Sequence, residues 1–239
     1  MRVLSFSETG SVRKNNEDSY LVLAKEGIYA VADGMGGHSA GEIASRTALE
    51  PFASLASDIN NVPAEMLEEW VKEVLLKANS LVYESSRQNP GCEGMGTTLT
   101  ALVIREGLAV VGHVGDSRAY LWRDENLTSL TIDHSLVGEL VRAGQITIEE
   151  AEKHPQRHVL VRAIGANQYL EVDCLRLPVR TGDVFILCTD GFSNLISEAE
   201  LAEELRKTGS WEEHFERLKS LVVERGATDN FTALCCILE

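Results

Sequence analysis

Hydrophobic residues in this chain are gathered into short runs, and two of these runs end in the same dipeptide. Residues 28–32 lead into Asp33-Gly34, and residues 184–189 lead into Asp190-Gly191. A short apolar run is typical of a buried strand, and Asp-Gly at its end is typical of a tight turn. We therefore expect a carboxylate at the end of each of two buried strands.

Three more acidic sites lie beside predicted strands. They are Glu17-Asp18 before residues 20–23, Asp116 after residues 108–114, and Asp229 before residues 231–238. Each acidic site alone has a structural explanation, because Asp often closes or caps a turn. A carboxylate at the end of a sheet is costly to desolvate without a cation or a hydrogen-bond donor beside it. Together, the acidic sites indicate a cage of oxygen ligands for hard divalent cations.

The rest of the pattern predicts helices that alternate with groups of antiparallel strands. One helix begins near Ser39, with Pro51 expected to kink or restart it, and a second begins near Pro63. Strands are expected at residues 97–105, 108–114, 119–123, 126–130, 172–178, 183–189 and 231–238. A polar, mostly helical segment at residues 133–164 interrupts them. Two helices, one opened by a capping box at residues 197–200, precede the last strand. This order favours layered α+β packing in a single domain that takes in the whole chain.

Composition narrows the function classes. The chain has 239 residues, of which 44% are hydrophobic and 25% charged, as in ordinary soluble domains. Its formal net charge of −15 argues against nucleic-acid and anionic-membrane partners, which require a basic surface. No apolar run approaches the length of a membrane span, and the N-terminus turns polar too early for a signal peptide. Five cysteines without Cys-x-x-Cys spacing lie mostly in apolar runs, which predicts core thiols and a cytoplasmic protein.

The predicted carboxylate cage suits a particular chemistry. The sequence has no Cys/His cluster to favour zinc, no EF-hand spacing, and no Gly-rich loop ending in Lys to hold a nucleotide. Mg²⁺ and Mn²⁺ are the remaining candidates, and two such ions promote hydrolysis of phosphate esters by lowering the pKa of a bound water. This chemistry also needs a cationic anchor for the phosphate. Arg13 is the candidate, although its spacing leaves open a surface ion pair with Glu17 instead.

Seven segments carry a more specific signal through their order along the chain. They are Gly10-Ser-Val-Arg-Lys-Asn-Asn-Glu-Asp18, Val31-Ala-Asp-Gly-Met-Gly-Gly-His38, Gly96-Thr-Thr98, Gly112-His-Val-Gly-Asp-Ser-Arg118, Asp133-His-Ser135, Cys188-Thr-Asp-Gly191 and Asp229-Asn230. In this order they resemble the motifs of the metal-dependent type 2C protein serine/threonine phosphatases (the PPM family), specifically the compact bacterial branch. The resemblance runs from about Gly10 to the C-terminus. It implies a four-layer α-β-β-α sandwich, in which helix pairs flank two antiparallel sheets, with a dinuclear metal centre at one end.

The resemblance also implies the ligands of two core ions, Mn²⁺ or Mg²⁺. Asp33 would bridge the two ions, and the carbonyl of Gly34 would bind one of them. Asp190 and Asp229 would hold the other ion. Individually each of these residues could be a turn former, but jointly that explanation is improbable.

Other residues would surround this centre if the resemblance holds. Glu17 and Asp18 would hold metal-bound waters, and Arg13 would take the substrate phosphate. Asp116 matches the ligand of a third, more loosely held ion in the bacterial branch. The competing interpretation is that Asp116 only stabilises its turn with Ser117 and Arg118.

One position departs from the eukaryotic members of this family. They place a histidine, proposed as general acid, directly after the first Asp-Gly, where this chain has Met35. The nearest histidine is His38, which would either act as the acid or only open the following helix. His113 is expected to be a satisfied core residue, or a residue that supports the metal ligands, and not a ligand itself. Residues 133–164 match the family's mobile flap, and residues 154–158 could contact a phosphopeptide.

The sequence thus predicts a cytoplasmic, metal-dependent phosphatase acting on phosphoserine and phosphothreonine proteins, by direct attack of metal-activated water. We expect a monomer that opposes a bacterial serine/threonine kinase and acts on that kinase and its substrates. Nucleic-acid and membrane partners are not expected. Two alternatives stay open: a non-catalytic binding module on the same fold, and a hydrolase of another small phosphate ester.

Overall fold

The computed structural model describes residues 1–37, 40–147, 150–151 and 153–239. Its strands are β1 (Arg2–Glu8), β2 (Asp18–Leu23), β3 (Ile28–Met35), β4 (Gly96–Thr97), β5 (Leu99–Arg105), β6 (Leu108–Val114), β7 (Arg118–Arg123), β8 (Asn126–Ser129), β9 (Asp173–Pro178), β10 (Val184–Cys188) and β11 (Phe231–Ile237). They form two antiparallel sheets. The first sheet has the order β1-β11-β10-β7-β8, and the second has the order β2-β3-β5-β6-β9, with β4 paired to β3.

Helices cover the outer face of each sheet. The helices are α1 (Ala40–Leu55), α2 (Leu67–Gln88), α3 (Leu136–Arg142), α4 (Asp190–Ser193), α5 (Glu198–Arg206) and α6 (Trp211–Glu224). Side chains of α1 and α2 share a hydrophobic core with the second sheet, and those of α5 and α6 share one with the first. A third core fills the space between the sheets. The predicted α-β-β-α sandwich is therefore confirmed.

This layering explains why the central strands read as continuous apolar runs. In β3, Ile28 and Ala30 pack against the helices, whereas Tyr29 and Val31 pack against the other sheet. Successive side chains of a strand point to opposite faces, so a strand covered on both faces loses the polar alternation of an exposed sheet.

The strand predicted at residues 97–105 is divided at Thr98, although its register against β3 does not change. The Asp33 N–H donates to the Thr98 hydroxyl at 2.9 Å instead of to a backbone carbonyl. A side chain therefore replaces one bond of the ladder. The strand β1 was not predicted, because Phe6 is its only buried residue and the apolar pattern there is weak.

The helix boundaries also differ in places. Pro51 lies inside α1, which continues to Leu55, so the expected restart of the helix is wrong. The second helix is preceded by a 3₁₀ turn at Ala64–Met66. Among the described residues of 133–164, one helix is α3. The short helix α4, directly after β10, was not predicted.

The five cysteines are free thiols, four of them buried and Cys174 half-buried. This matches the expectation that they are core side chains. In the part of the chain that the structure describes, no helix combines the length and the apolar character needed to cross a membrane.

Candidate functional site

Several of the predicted carboxylates converge between the two sheets at one end of the sandwich. Asp18 and Asp33 lie opposite each other in the pairing of β2 with β3. Asp33 follows Tyr29 and Val31 at alternate positions of β3, and those two side chains face the other sheet. Asp190 is the first residue of α4, directly beyond the end of β10. The ends of strands from both sheets thus place acidic side chains in one cleft.

The carboxyls of Asp33 and Asp190 lie close enough for each to shift the pKa of the other. Desolvation, strengthened by the negative charges of Asp18 and Asp190, raises the pKa of Asp33 well above its ordinary value of 3.8. Desolvation also raises the pKa of Asp190, and the interaction with Asp33 offsets that rise only in part. Two carboxylates in contact cannot both ionise without a cation beside them. This pair therefore lacks positive charge.

Asp18 is buried, with 6% of its surface exposed. Its Oδ2 accepts hydrogen bonds from the hydroxyls of Thr189 and Thr232, at 2.8 and 2.7 Å, which tie it to the first sheet. Its Oδ1 is buried and has no hydrogen-bond partner among the described residues. Burial is the main reason that the pKa of Asp18 rises to about 7. A buried carboxylate oxygen without a donor is suited to face a water or a cation.

Asp116 lies in the turn between β6 and β7. Desolvation, and then the charge of Asp190, raise its pKa to about 7. Arg118 offsets this only in part, because its guanidinium makes a two-point contact with Asp133 at 3.0 and 2.7 Å. The interpretation that Asp116 merely stabilises its turn with Arg118 is thus weakened.

Glu17 and the carbonyl of Gly34 meet at the start of α1. The Gly34 N–H donates to the Glu17 carbonyl at 3.2 Å. A Cβ at position 41 would lie 2.5 Å from Glu17 Oε2 and 2.8 Å from the Gly34 oxygen. Gly41 therefore leaves room for a carboxylate and a carbonyl oxygen to approach each other. Sequence reasoning missed Gly41, although a glycine in the first turn of a helix is unfavourable and so is a signal.

Arg13 and Asp229 form a two-point ion pair. Nη2 of Arg13 donates to Oδ2 of Asp229 at 2.9 Å, and Nε of Arg13 lies 2.8 Å from Oδ1. The hydrogen bond to Asp229 is the largest cause that raises the pKa of Arg13. Both side chains are about half exposed, at 52% and 41%. The predicted alternative of an ion pair with Glu17 is wrong, since the guanidinium is held by a predicted metal ligand.

Hydroxyl groups fix the backbone of Asp33. Thr98 Oγ1 accepts the Asp33 N–H at 2.9 Å, and Thr97 Oγ1 donates to the Asp33 carbonyl at 2.8 Å. Thr98 Oγ1 also contacts Ser117 Oγ at 2.7 Å, next to Asp116. The sequence contains these threonines in a recognised segment but gives no indication of this role.

Asn230 fastens the loop that carries Arg13 and Glu17. Its Nδ2 donates to the carbonyls of Thr9 and Asn15 at 2.8 and 3.0 Å, and its Oδ1 accepts the Glu17 N–H at 2.8 Å. One amide side chain thus satisfies three backbone groups of an otherwise irregular loop. The loop that carries the charged residues Arg13 and Glu17 is therefore held in place by an uncharged side chain.

The histidines lie in different surroundings. His38 is outside the described residues. His113 is buried, with Nδ1 2.9 Å from Thr100 Oγ1 and Nε2 3.2 Å from the Ile132 carbonyl, and burial lowers its pKa to about 3. It is a satisfied core residue, as expected. His158 of the predicted flap is close enough to Asp190 for its charge to lower the pKa of that carboxyl.

The donor set fits hard divalent cations. It consists of carboxylate and carbonyl oxygens, which suit Mg²⁺ and Mn²⁺. Within the described residues, no group of three or more His, Cys, Asp or Glu side chains is placed so that it could hold a metal ion as it stands. The fit rests instead on the unpartnered Oδ1 of Asp18, the Asp33–Asp190 contact and the space left by Gly41.

Comparisons with known proteins show the family to which the chain belongs. The model of the family described as protein phosphatase 2C matches residues 11–234. The serine/threonine phosphatase stp of Listeria innocua is 36% identical over 232 residues, which cover 95% of this chain and 92% of that protein.

Solved structures are similar over nearly the whole chain. The crystal structure of the serine/threonine phosphatase Stp1 from Staphylococcus aureus has a TM-score of 0.93 at 31% identity, covering 99% of this chain and 94% of that one. The catalytic domain of the serine/threonine protein phosphatase PstP, solved in complex with two manganese ions, has a TM-score of 0.86 at 36% identity. It covers 98% of this chain and 96% of that one.

Proposed function

Because the chain belongs to the protein phosphatase 2C family and is a metal-dependent serine/threonine protein phosphatase, we propose that the carboxylates between the sheets are its catalytic centre. The observation that carries this proposal is the contact between Asp33 and Asp190, two acids in one cleft with raised pKa values. Such a cleft is built to receive cations. The alternative of a non-catalytic module is not favoured, since the relatives are named as phosphatases.

Four residues would hold the two core ions. Asp33 would bridge them, because its carboxyl touches Asp190 and its backbone is fixed on both sides by hydroxyls. The Gly34 carbonyl would bind one ion, which is supported by the room that Gly41 leaves beside it. Asp190 and Asp229 would bind the other. Asp18 and Glu17 would hold water molecules at the ions.

When bound, two hard cations lower the pKa of a water and neutralise the oxygens of the phosphoryl group. The chain's own contribution is to place the substrate. Arg13 lies at the mouth of the cleft and has two N–H donors in one plane, which match two oxygens of a phosphate. Asp229 engages these donors, and they would be free for a phosphate if Asp229 held a cation instead.

Hydrolysis would occur in one step, without a phosphorylated enzyme. A cysteine nucleophile would need a lowered pKa, whereas burial raises the pKa of Cys188 and Cys235 to about 12 and that of Cys174 to about 11. The acid that protonates the leaving oxygen would be His38 in our proposal. Its position in the sequence, at the start of the segment leading into α1, supports this choice.

The physiological ion would be Mn²⁺ or Mg²⁺. The manganese ions in the PstP structure support Mn²⁺ for the core. A third ion, held by Asp116, is supported by the raised pKa of that carboxyl and its proximity to Asp190.

The substrates would be phosphoserine and phosphothreonine proteins, including a cognate serine/threonine kinase and its targets. We propose that the enzyme acts as a monomer. We also propose a cytoplasmic location, which the free thiols support.

A phosphothreonine peptide, assayed with Mn²⁺, with Mg²⁺ and with chelator, tests the proposal. Turnover should require either ion and stop in chelator. A parallel assay with small phosphate esters measures the preference for peptides. Turnover that resists the chelator would contradict the proposal, as would a higher kcat/KM for a small ester than for the peptide.

A further inference from the structure

His134 connects three parts of the molecule through a fully buried imidazole. It lies in the turn before α3, at the beginning of the segment 133–164. Its Nδ1 accepts the N–H of Gly115 at 3.1 Å, and its Nε2 lies 3.1 Å from Oδ2 of Asp173 in β9. A backbone N–H can only donate, so Nδ1 is unprotonated and Nε2 carries the hydrogen that Asp173 accepts.

The backbone of His134 adds two more links. Its N–H donates to the Gly115 carbonyl at 2.7 Å, and its carbonyl accepts the N–H of Val161 at 2.8 Å. Gly115 is therefore held on both sides by the same residue. Val161 lies near the other end of segment 133–164, so His134 joins the two ends of that segment. We call these two joined ends, residues 133–135 and 160–162, the flap root.

Gly115 immediately precedes Asp116 and is conformationally special. Its φ is +113°, and a Cβ there would lie 2.6 Å from the side chain of Thr98. Only glycine fits this position. The direction of the Asp116 carboxylate then depends on how the peptides around Gly115 are held.

The remaining contacts make this arrangement rigid. Asp173 also accepts a hydrogen bond from Nη1 of Arg162 at 2.7 Å, so the start and the end of the flap root bind one carboxylate. The ring of His113 packs on that of His134 with centroids 4.6 Å apart. Burial lowers the pKa of His134, in keeping with a neutral ring.

We propose that His134 is a positioning residue that sets Asp116 for the third ion and couples that ion to the flap root. This inference rests on the proposed role of Asp116. The Nδ1 contact with Gly115 fixes the turn, and the carbonyl contact with Val161 transmits its position to the flap root. A change in the Asp116 turn must then disturb the flap root, and the reverse also holds.

Two substitutions separate the roles of the two ring nitrogens. In His134→Asn the amide oxygen takes the place of Nδ1 and keeps an acceptor for Gly115. In His134→Gln the amide reaches towards Asp173 and leaves the Gly115 N–H without its acceptor. The loss of one hydrogen bond at a buried donor corresponds to about a fivefold to tenfold change in an equilibrium constant.

We therefore expect His134→Gln to raise the Mn²⁺ concentration for half-maximal peptide hydrolysis by about fivefold to tenfold, and His134→Asn to recover most of that loss. Calorimetric titration with Mn²⁺ should show the two core ions still bound in both variants and the third, weaker phase shifted only in His134→Gln. In metal-free protein, hydrogen exchange at Gly115 should be faster in His134→Gln than in His134→Asn.

His214→Gln is the matched control. His214 is also a buried histidine with a carboxylate partner, Glu204, at 3.1 Å, but it lies between α5 and α6. The His214→Gln variant should have a lower melting temperature, with the Mn²⁺ dependence of peptide hydrolysis unchanged. Equal Mn²⁺ dependence in His134→Gln and wild type would overturn the inference, as would equal losses in the Asn and Gln variants.

A measurement on wild type covers the case in which His134→Gln does not fold. Mn²⁺ beyond two equivalents should slow hydrogen exchange at Val161, and Asp116→Ala should abolish that effect. If Mn²⁺ leaves Val161 unchanged while Asp116→Ala still weakens the third phase, the inference about His134 fails and the role of Asp116 survives. If Asp116→Ala changes neither Mn²⁺ binding nor kinetics, the proposed third ion fails, and this inference fails with it.

Discussion

Two sets of carboxylates in this molecule meet opposite electrostatic surroundings. Glu204, between α5 and α6, is bound by Lys207, His214 and Arg217 at 2.8, 3.1 and 2.6 Å, and these contacts lower its pKa to about 2. In the cleft between the sheets, the pKa of Asp18 instead rises to about 7. Both residues have less than a tenth of their surface exposed, and desolvation acts to raise the pKa of both.

The difference is the source of the positive charge. Glu204 obtains its cations from its own chain, and the free energy of that pairing stabilises the fold. The cleft holds more carboxylates than cationic side chains, and their repulsion destabilises the folded protein until an external cation binds. Asp18 and Asp33, whose pKa values are raised, lie in the proposed metal site, whereas Glu204, whose pKa is lowered, belongs to the scaffold.

The largest expected effect separates Asp33 from a scaffold acid. Asp33→Asn should reduce peptide hydrolysis by orders of magnitude, since an amide cannot neutralise two cations. The same change should raise the melting temperature of the metal-free protein, because it removes a buried, repelled carboxyl. Asp183→Asn is the control: Asp183 is 1% exposed and bound by Arg123, so its loss should cost about 2 kcal/mol of stability and spare kcat.

Kinetics at saturating Mn²⁺ and melting curves in metal-free buffer check both variants. Near-normal turnover in Asp33→Asn would remove this residue from the catalytic centre. A fall in melting temperature of equal size in both variants would show that the two sets of acids do not differ.

Arg13 is a cation of the chain itself that pairs with Asp229, a carboxylate of the proposed metal site. Its removal should have an intermediate effect on catalysis. Arg13→Ala should raise KM for a phosphopeptide by about tenfold or more while lowering kcat less, because a phosphate contact present in both ground and transition states contributes to binding. It should also tighten Mn²⁺ binding, since Asp229 loses its competing partner. Arg180→Ala, which breaks an exposed ion pair with Asp124 at the end of the sheet opposite the cleft, is the control and should leave KM unchanged. An unchanged KM in Arg13→Ala would indicate that the guanidinium serves only Asp229.

The sequence allowed a large part of this arrangement to be predicted, because strands buried on both faces leave uninterrupted apolar runs. Asp33 and Asp190 stand out at the ends of such runs. The partners that hold them do not. Nothing in the local sequence tells that Thr98 will replace a ladder bond, or that Asn230 will bind a loop more than 200 positions earlier, at Asn15 and Thr9.

Charge pairing was also hidden from the sequence. Spacing suggested Glu17 as the partner of Arg13, whereas the fold brings Asp229 to it from the far end of the chain. Side chains four positions apart interact reliably on a helix, but Arg13 lies in an irregular loop. Pairing across the chain requires the tertiary structure.

The smallest expected effect is a dependence of stability on pH. In the metal-free protein Asp18 and Asp116 have pKa values of about 7, above the ordinary value of 3.8. The folded state then holds protons that the unfolded state has released, so its stability falls as pH rises from about 4 to about 7. Glu204, with a pKa lowered from 4.5 to about 2, loses its contribution to stability only as pH falls through that lower range.

Urea unfolding of metal-free protein should therefore show that the free energy of unfolding increases by about 1 to 3 kcal/mol when the pH is lowered from about 8 to about 5. Asp116→Asn should reduce this gain and Glu204→Gln should leave it unchanged, while saturating Mn²⁺ should remove it by keeping the carboxylates ionised. Stability that stays level over this pH range without metal would mean that the cleft acids are balanced by the protein itself.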